Sequence, residues 1–350
     1  MDTAQLLTLS VADLASGVAG ESLLGDGGAL VRPLFVVDLD GADLSNLERA
    51  VEQASLTDGI LVGRATREVP AELAPLVDVL DLTYTPGGRS RNVVGSVDPD
   101  ESIGEFAAAV AKNPQSALVA RQVVRASETL PVSEAIDVES LAYSTLQGGP
   151  EFAAWLEERG PRTLPPPCNE AVLIDRDGDV LRITLNRPER RNAYGTGLRD
   201  ALVDALRIAV LDESVDHVVL DGAGLSFCAG GDLDEFGRTP DITLAHFIRT
   251  RGGAGRLVAR LADRIRVCLH GHCIGAGIEI PAFAGHVVAA PGTVFRLPEV
   301  SMGLIPGAGG TVSIPRRIGR WRSLHLFVTA VSIDAQDALQ WGLIDEIRDE

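Results

Sequence analysis

Apolar residues fall in short dense runs separated by polar, glycine- and proline-rich turns along most of the chain. The first thirty residues carry no firm pattern. The run at 33–40, PLFVVDLD, predicts a buried strand, and Leu44, Leu47, Val51 and Ala54 stand at helical spacing. With the run GILVGRA at 59–65 they make a βαβ unit. A third apolar run at 75–84 leads into the loop TPGGRSRN, and from 100 to 160 the pattern is helical. Consecutive prolines in TLPPPC, 163–168, remove backbone donors and fix φ, so a linker is expected there. It divides the chain into 1–165 and 166–350.

Beyond the linker, 172–188 predicts a hairpin turning at Asp177 and Gly178. A helix at 196–211 and a strand at 217–223 follow, then a strand at 264–271 that enters the turn GHCIGAG. The stretch IEIPAFAGHVVAA reads as helix then strand, and the chain closes with VFRLPEV, a glycine-rich turn and helices. Strand, helix, Asp-containing turn and strand recur in the same order in both halves, an arrangement that a tandem duplication would produce. The class is α/β.

With 350 residues, of which 45% are hydrophobic, the chain can bury a sizeable core. No apolar run approaches the ~20 residues of a membrane-spanning helix, and no secretory layout opens the sequence, so a cytoplasmic location is expected. The formal charge of -18 repels nucleic acid and anionic membranes, so any anionic ligand needs a local basic patch. Cys168, Cys228, Cys268 and Cys273 form no CxxC pair, which favours reduced thiols over disulfides or a metal site.

Three segments carry candidate chemistry: SFCAGGDLDEF (226–236), HGHCIGAGIEI (270–280) and FRLPEVSMGLIPGAGGT (295–311). Each alone is a glycine-rich turn. Their order and spacing, with NRPERRNAY at 186–194 ahead of them, resemble the crotonase or enoyl-CoA hydratase/isomerase family over 171–350. The resemblance implies a spiral core of ββα repeats and an acyl-CoA thioester as substrate, with coenzyme A part of that substrate and no permanently bound cofactor or metal.

By the same resemblance, the backbone N–H groups of Gly231 and Ala276 form an oxyanion hole for a thioester enolate. Glu279 orients and activates a water, and Glu299 is the principal proton donor. Hydratases of the family carry both glutamates, so hydration is the expected reaction. Isomerisation, thioester hydrolysis, C–C cleavage and a non-catalytic acyl-CoA-binding subunit are the alternatives. Arg187, Arg191, Ala193 and Ala229 stand where the family holds coenzyme A, and Asp232 where an aspartate fixes the loop. The acyl pocket is expected from 234–262, and the assembly as a homotrimer or dimer of trimers, with a second crotonase-like subunit as the other option.

Some residues depart from the family pattern. Arg296 replaces a small residue and either lowers the pKa of Glu299, binds a polar acyl group or faces solvent. His270 and His272 read as packing residues, and Cys273 as a buried one. Family members also continue past the counterpart of WGLIDEI into a long helical region, whereas here residues 100–162, with the KNP break and the ending EFAAWLEERGPR, resemble that region. Helices 101–160 are therefore expected to complete or cover the core of the same chain or of a neighbour. The first half, lacking counterparts of CAGGDL, GAGIEI and LPEV, is expected to be a degenerate copy without catalytic groups.

Overall fold

The structure is a computed structural model that describes residues 6–239 and 241–348. In the first half, β1 (Thr8–Ser10), β2 (Leu34–Asp38), β3 (Ile60–Arg64), β4 (Leu82–Thr85) and β5 (Val94–Gly95) form a five-stranded sheet in chain order. Every pairing is parallel. The unbroken apolar run of β2 follows from burial on both faces. Phe35 and Val37 pack toward α1 (Val11–Ala15), α2 (Leu47–Leu56) and α3 (Ala74–Val79), while Leu34 and Val36 join the main core on the opposite face. The strand β1 is too short for its alternation to register as a pattern, which is why the sequence gives no sign of it.

Four helices follow: α4 (Pro99–Lys112), α5 (Pro114–Ser127), α6 (Val132–Gln147) and α7 (Pro150–Arg159). Prolines open α4, α5 and α7, where a missing N–H costs nothing, and Asp98 caps α4 by accepting from the N–H groups of Asp100 and Glu101 at 3.0 and 3.1 Å.

The second half begins with the antiparallel hairpin β6 (Val172–Asp177) and β7 (Val180–Leu185). Its two-residue turn is Gly178-Asp179, one position later than expected, because Gly178 takes the positive φ of 59°. After α8 (Thr196–Leu211) come β8 (His217–Gly222), α9 (Ile242–Gly252), α10 (Gly255–Arg260), β9 (Ile265–Leu269), β10 (His272–Ile274), α11 (Ala276–Glu279), β11 (His286–Ala289) and β12 (Val294–Arg296). The chain ends through α12 (Gly310–Thr329), β13 (Ile333–Asp334), α13 (Ala335–Trp341) and β14 (Glu346–Ile347). A six-stranded sheet runs β14-β11-β9-β8-β7-β6, and β10-β12-β13 form a smaller one. The strand–strand–helix unit therefore recurs, as β9–β10–α11 and again as β11–β12 leading to α12.

The two halves share one core. Both α4 and α5 pack along α12, and α6 packs on α9 and α12, so the helices at 101–160 cover the second half within one chain. The seam is polar as well as apolar. Buried Asp81 accepts from the N–H of Leu61 at 2.8 Å and from Arg121 and Arg125 of α5 at 2.9 and 2.7 Å, with Arg320 of α12 3.8 Å away. Tyr84 of β4 hydrogen-bonds His325 of α12 at 2.8 Å. Among the described residues no helix is long and apolar enough to cross a membrane.

Candidate active site

A cavity of about 590 Å³ opens between the halves. Its wall brings together four of the residues singled out by sequence as catalytic or oxyanion-binding: Gly231, Ala276, Glu279 and Glu299. Two short parallel bridges hold the loops in place, Tyr194 with Gly231 and Cys228 with Cys273. Gly230 has a φ of 93° and its Cα passes so close to β10 that a Cβ would lie 2.9 Å from the Ile274 carbonyl oxygen. That turn presents Gly231 to the cavity. Asp232, buried beneath it, binds Arg190 at 2.7 Å and accepts from the Asp234 N–H at 3.2 Å, which fixes the loop. Ala276 is the first residue of α11, where N–H groups have no intrahelical acceptor. Among the described residues neither the Gly231 nor the Ala276 N–H donates to a backbone acceptor.

Gly275 separates the two glutamates. Its φ is 49°, and a side chain there would collide with Oε1 of Glu299 and lie 3.6 Å from Oε1 of Glu279. Oε1 of both carboxylates thus lies within 4 Å of one point beside Gly275. Their environments differ. Glu279 is 2% exposed, and its Oε2 accepts from the N–H groups of Ala308 and Gly310 at 2.7 and 3.0 Å. Its backbone carbonyl is held by Ser313 Oγ at 2.7 Å. Glu299 Oε2 is buried with no hydrogen-bond partner. Burial raises the pKa of both groups, and the neighbouring Glu279 charge raises Glu299 further, well above its ordinary range. Two N–H donors stabilise ionised Glu279, whereas for Glu299 its own backbone N–H and the Arg296 charge are outweighed by burial and the Glu279 charge, so a shared proton resides on Glu299.

A third buried carboxylate comes from the first half. Glu139 of α6 accepts from the Gly309 N–H at 2.8 Å and from the Thr311 N–H and Oγ1 at 2.9 and 2.7 Å. It lines the same cavity, as do Ile136, Ser140, Tyr143 and Gln147 of α6. Glu139 belongs to no glycine-rich turn. Its sequence signal lies elsewhere: it falls at helical spacing between Ile136 and Tyr143 on the buried face of α6.

Other candidates lie off the cavity wall. Arg187 is buried, its Nε lacks a hydrogen bond and stands 3.7 Å from Glu189, and its backbone N–H donates to Asn192 Oδ1 at 2.7 Å. Arg191 is exposed, with a left-handed φ of 51°, and its carbonyl accepts from the Ala229 N–H at 2.9 Å. Neither these nor Ala193 and Ala229 line the cavity. Arg296 is exposed and its Nε donates to the Ala330 carbonyl at 2.8 Å. His270 binds the Gly224 carbonyl at 3.0 Å, and Cys273 is fully buried.

The expected pocket loop does contribute, through residues at 235–239 and 245–256, and it carries Arg238, Arg249 and Arg256. At the rim, Arg238 donates to the Arg162 carbonyl, and the charges of Arg162 and Arg238 join burial in lowering the pKa of Arg159. Three guanidinium groups therefore cluster where α7 ends. Among the described residues no group of His, Cys, Asp and Glu could hold a metal ion.

Residues 175–350 match the family profile described as Enoyl-CoA hydratase/isomerase. The chain belongs to that family. It is 34% identical over 176 residues to the 2,3-dehydroadipyl-CoA hydratase of Escherichia coli, covering 50% of this chain and 68% of that protein. It is 32% identical over 186 residues to the 1,2-epoxyphenylacetyl-CoA isomerase of the same organism, covering 52% and 71%. Among solved structures of the enoyl-CoA hydratase/isomerase family, an enoyl-CoA hydratase from Thermoplasma volcanium is 31% identical with a TM-score of 0.47, over 51% of this chain and 72% of that one. Hydratases and an isomerase of the family stand at similar identity, so the reaction has to be argued from the site.

Proposed function

We propose that the protein is an enoyl-CoA hydratase, adding water across the α,β double bond of an acyl-CoA thioester or catalysing the reverse elimination. The observation that carries this reading is the pair of glutamates flanking Gly275 in one cavity with two open backbone donors. The thioester oxygen accepts from the N–H groups of Gly231 and Ala276, which are fixed before charge develops. Glu279, with Oε2 held by Ala308 and Gly310, turns Oε1 to the water and takes its proton as the water oxygen bonds to the β-carbon. The π electrons pass to the thioester as an enolate, and Glu299 delivers its proton to the α-carbon. Proton exchange between the two carboxylates through the next water restores the starting state.

The phosphates of coenzyme A are assigned to Arg238, which lines the cavity, together with Arg159 and Arg162 clustered beside it. In an acidic chain this cluster supplies the local positive potential that a polyanion requires. Isomerisation of an acyl-CoA thioester is the alternative, favoured by the comparable identity to the 1,2-epoxyphenylacetyl-CoA isomerase of Escherichia coli.

The test is to incubate purified protein with short, medium and ring-bearing enoyl-CoA thioesters and follow loss of the conjugated thioester absorbance. Hydration abolished by Glu299→Gln is the expected result. If no enoyl-CoA is hydrated while Glu299→Gln removes another acyl-CoA conversion, the site stands and the reaction does not. Failure to bind any CoA thioester supports a non-catalytic partner subunit instead.

A further inference from the structure

Four arginines line the cavity, and three have their charges answered or solvated. Arg199 pairs with Asp200 at 2.7 Å, Arg256 pairs with Asp137 at 2.5 Å, and Arg238 is exposed. Arg249 of α9 differs. It is half-buried, and its hydrogen-bond partners are all neutral: Ser140 Oγ at 3.0 Å from Nε, Gln147 Oε1 at 3.0 Å from Nη1, and the Ser140 carbonyl at 3.2 Å and Ser144 Oγ from Nη2. The guanidinium lies over the Tyr143 ring, 4.5 Å from its centroid. Among the described residues no carboxylate forms an ion pair with it, and Glu139, the acidic group that acts on it electrostatically, already has both oxygens engaged by Gly309 and Thr311.

These contacts use four of the five guanidinium N–H groups and leave one on Nη1 unclaimed. An uncompensated cation in a partly dry wall is costly, and an anion entering the cavity recovers that cost. The fork is held rigidly by α6, so little ordering is needed when an anion arrives. Next to it the wall is apolar, with Ile136, Ala245 and Ile248, as an aliphatic chain requires. Arg249 binds Ser140, the chain neighbour of Glu139, whose donors at Gly309 and Thr311 alternate with those of Glu279, so the guanidinium and the reacting carboxylates belong to one wall.

We propose that Arg249 receives a carboxylate at the far end of the acyl chain, so that the preferred substrate is a short dicarboxylyl-CoA thioester and not a plain fatty acyl one. This rests on the reading of the cavity as an acyl-CoA site, and it assigns substrate choice to a contact between α6 of the first half and α9 of the second.

The experiment compares kcat/KM for hex-2-enoyl-CoA and hex-2-enedioyl-CoA, which differ by a terminal methyl against a carboxylate, in the native chain and in Arg249→Met and Arg249→Lys. The native protein is expected to favour the dicarboxylyl thioester at least about tenfold. Arg249→Met is expected to lose on the order of a hundredfold on that substrate while staying within about threefold on hex-2-enoyl-CoA, with Arg249→Lys between them. A native protein without preference overturns the proposal, and so does a Met variant that loses equally on both, which would make Arg249 a helix tie only. If neither thioester is hydrated, calorimetry with the saturated hexanedioyl-CoA and hexanoyl-CoA separates the two readings. Tighter hexanedioyl-CoA binding that Arg249→Met removes keeps the anchor while hydration fails, and equal binding overturns the anchor too.

Discussion

Glu139 and Glu279, contributed by opposite halves of the chain, divide between them the successive N–H groups from Ala308 to Thr311 at the start of α12. Glu279 takes Ala308 and Gly310, and Glu139 takes Gly309 and Thr311. The donors a helix start leaves open are thus satisfied by two carboxylates, and each carboxylate is oriented by the donors it satisfies. Glu139 is therefore a positioning residue for Glu279 in this reading.

Removing Glu139 tests that relationship. Glu139→Ala leaves two buried N–H groups and a hydroxyl without an acceptor and is expected to cost about 2–3 kcal/mol in urea unfolding. Glu139→Gln should retain the fold but shift the pH–rate profile. The charge of Glu139 helps hold the Glu299 pKa up, so its loss is expected to move the alkaline limb of kcat toward lower pH. A profile that does not move would make Glu139 a structural cap only.

Glu299→Gln should separate catalysis from stability. Turnover is expected to fall by about 10²–10⁴-fold, the range for loss of a general acid. The melting temperature should change little, because Glu299 already carries the shared proton and one neutral group replaces another. Calorimetry on the pure variant checks the second point, and a lower melting temperature would show that Glu299 has a stabilising partner.

The residues that sequence alone could find, and those it could not, follow one physical division. Gly231, Ala276, Glu279 and Glu299, which line one cavity, were reachable because their glycine- and proline-marked turns together resemble a family pattern. The hairpin at Gly178, the helix Thr196–Leu211 and the strands of the first βαβ unit were legible for the same reason, by turn chemistry or periodicity. Glu139, Tyr143 and Arg249 were not found, since what makes them part of the site is the docking of α6 against α9 and α12, a relation between positions about a hundred residues or more apart. A charge on the apolar face of α6 makes Glu139 unusual, but only the partner surface says why it is there.

His325 gives a stability prediction with a definite sign. Burial pushes its pKa down to about 4, so the folded state keeps it neutral against Tyr84 while the unfolded chain takes up a proton below its ordinary value near 6.5. Between those values the unfolded state binds more protons, so this contribution is complete above pH 6.5 and is lost as the pH falls toward 4. The loss amounts to no more than about 3 kcal/mol. The raised glutamates act in the opposite sense, their contribution falling as pH rises. The check is therefore a difference: the His325→Gln variant should show a flatter acid limb of stability than the native chain in urea titrations across this window.

Asp81 ties α5 to the sheet of the first half, and Asp81→Ala is expected to cost about 3–5 kcal/mol. It strands the buried guanidinium of Arg121 and uncaps the Leu61 N–H. Unfolding midpoints in urea measure this, and a loss below about 1 kcal/mol would mean that water replaces the carboxylate.

Arg238→Glu should raise KM for any CoA thioester several-fold at low salt with kcat unchanged, and the effect should shrink as salt rises, because an exposed rim charge acts through a screened field. A KM that is indifferent to the reversal would remove Arg238 from the phosphate contacts.

The shared cap on α12 also bears on inheritance. A recombination event that exchanged residues 1–165 for those of a distant relative would leave the Gly309 and Thr311 donors facing whatever side chain the newcomer carries at position 139. The two segments are thus bound to pass on as one genetic unit, and a substitution at either end of the cap restricts which residues descendants can accept at the other.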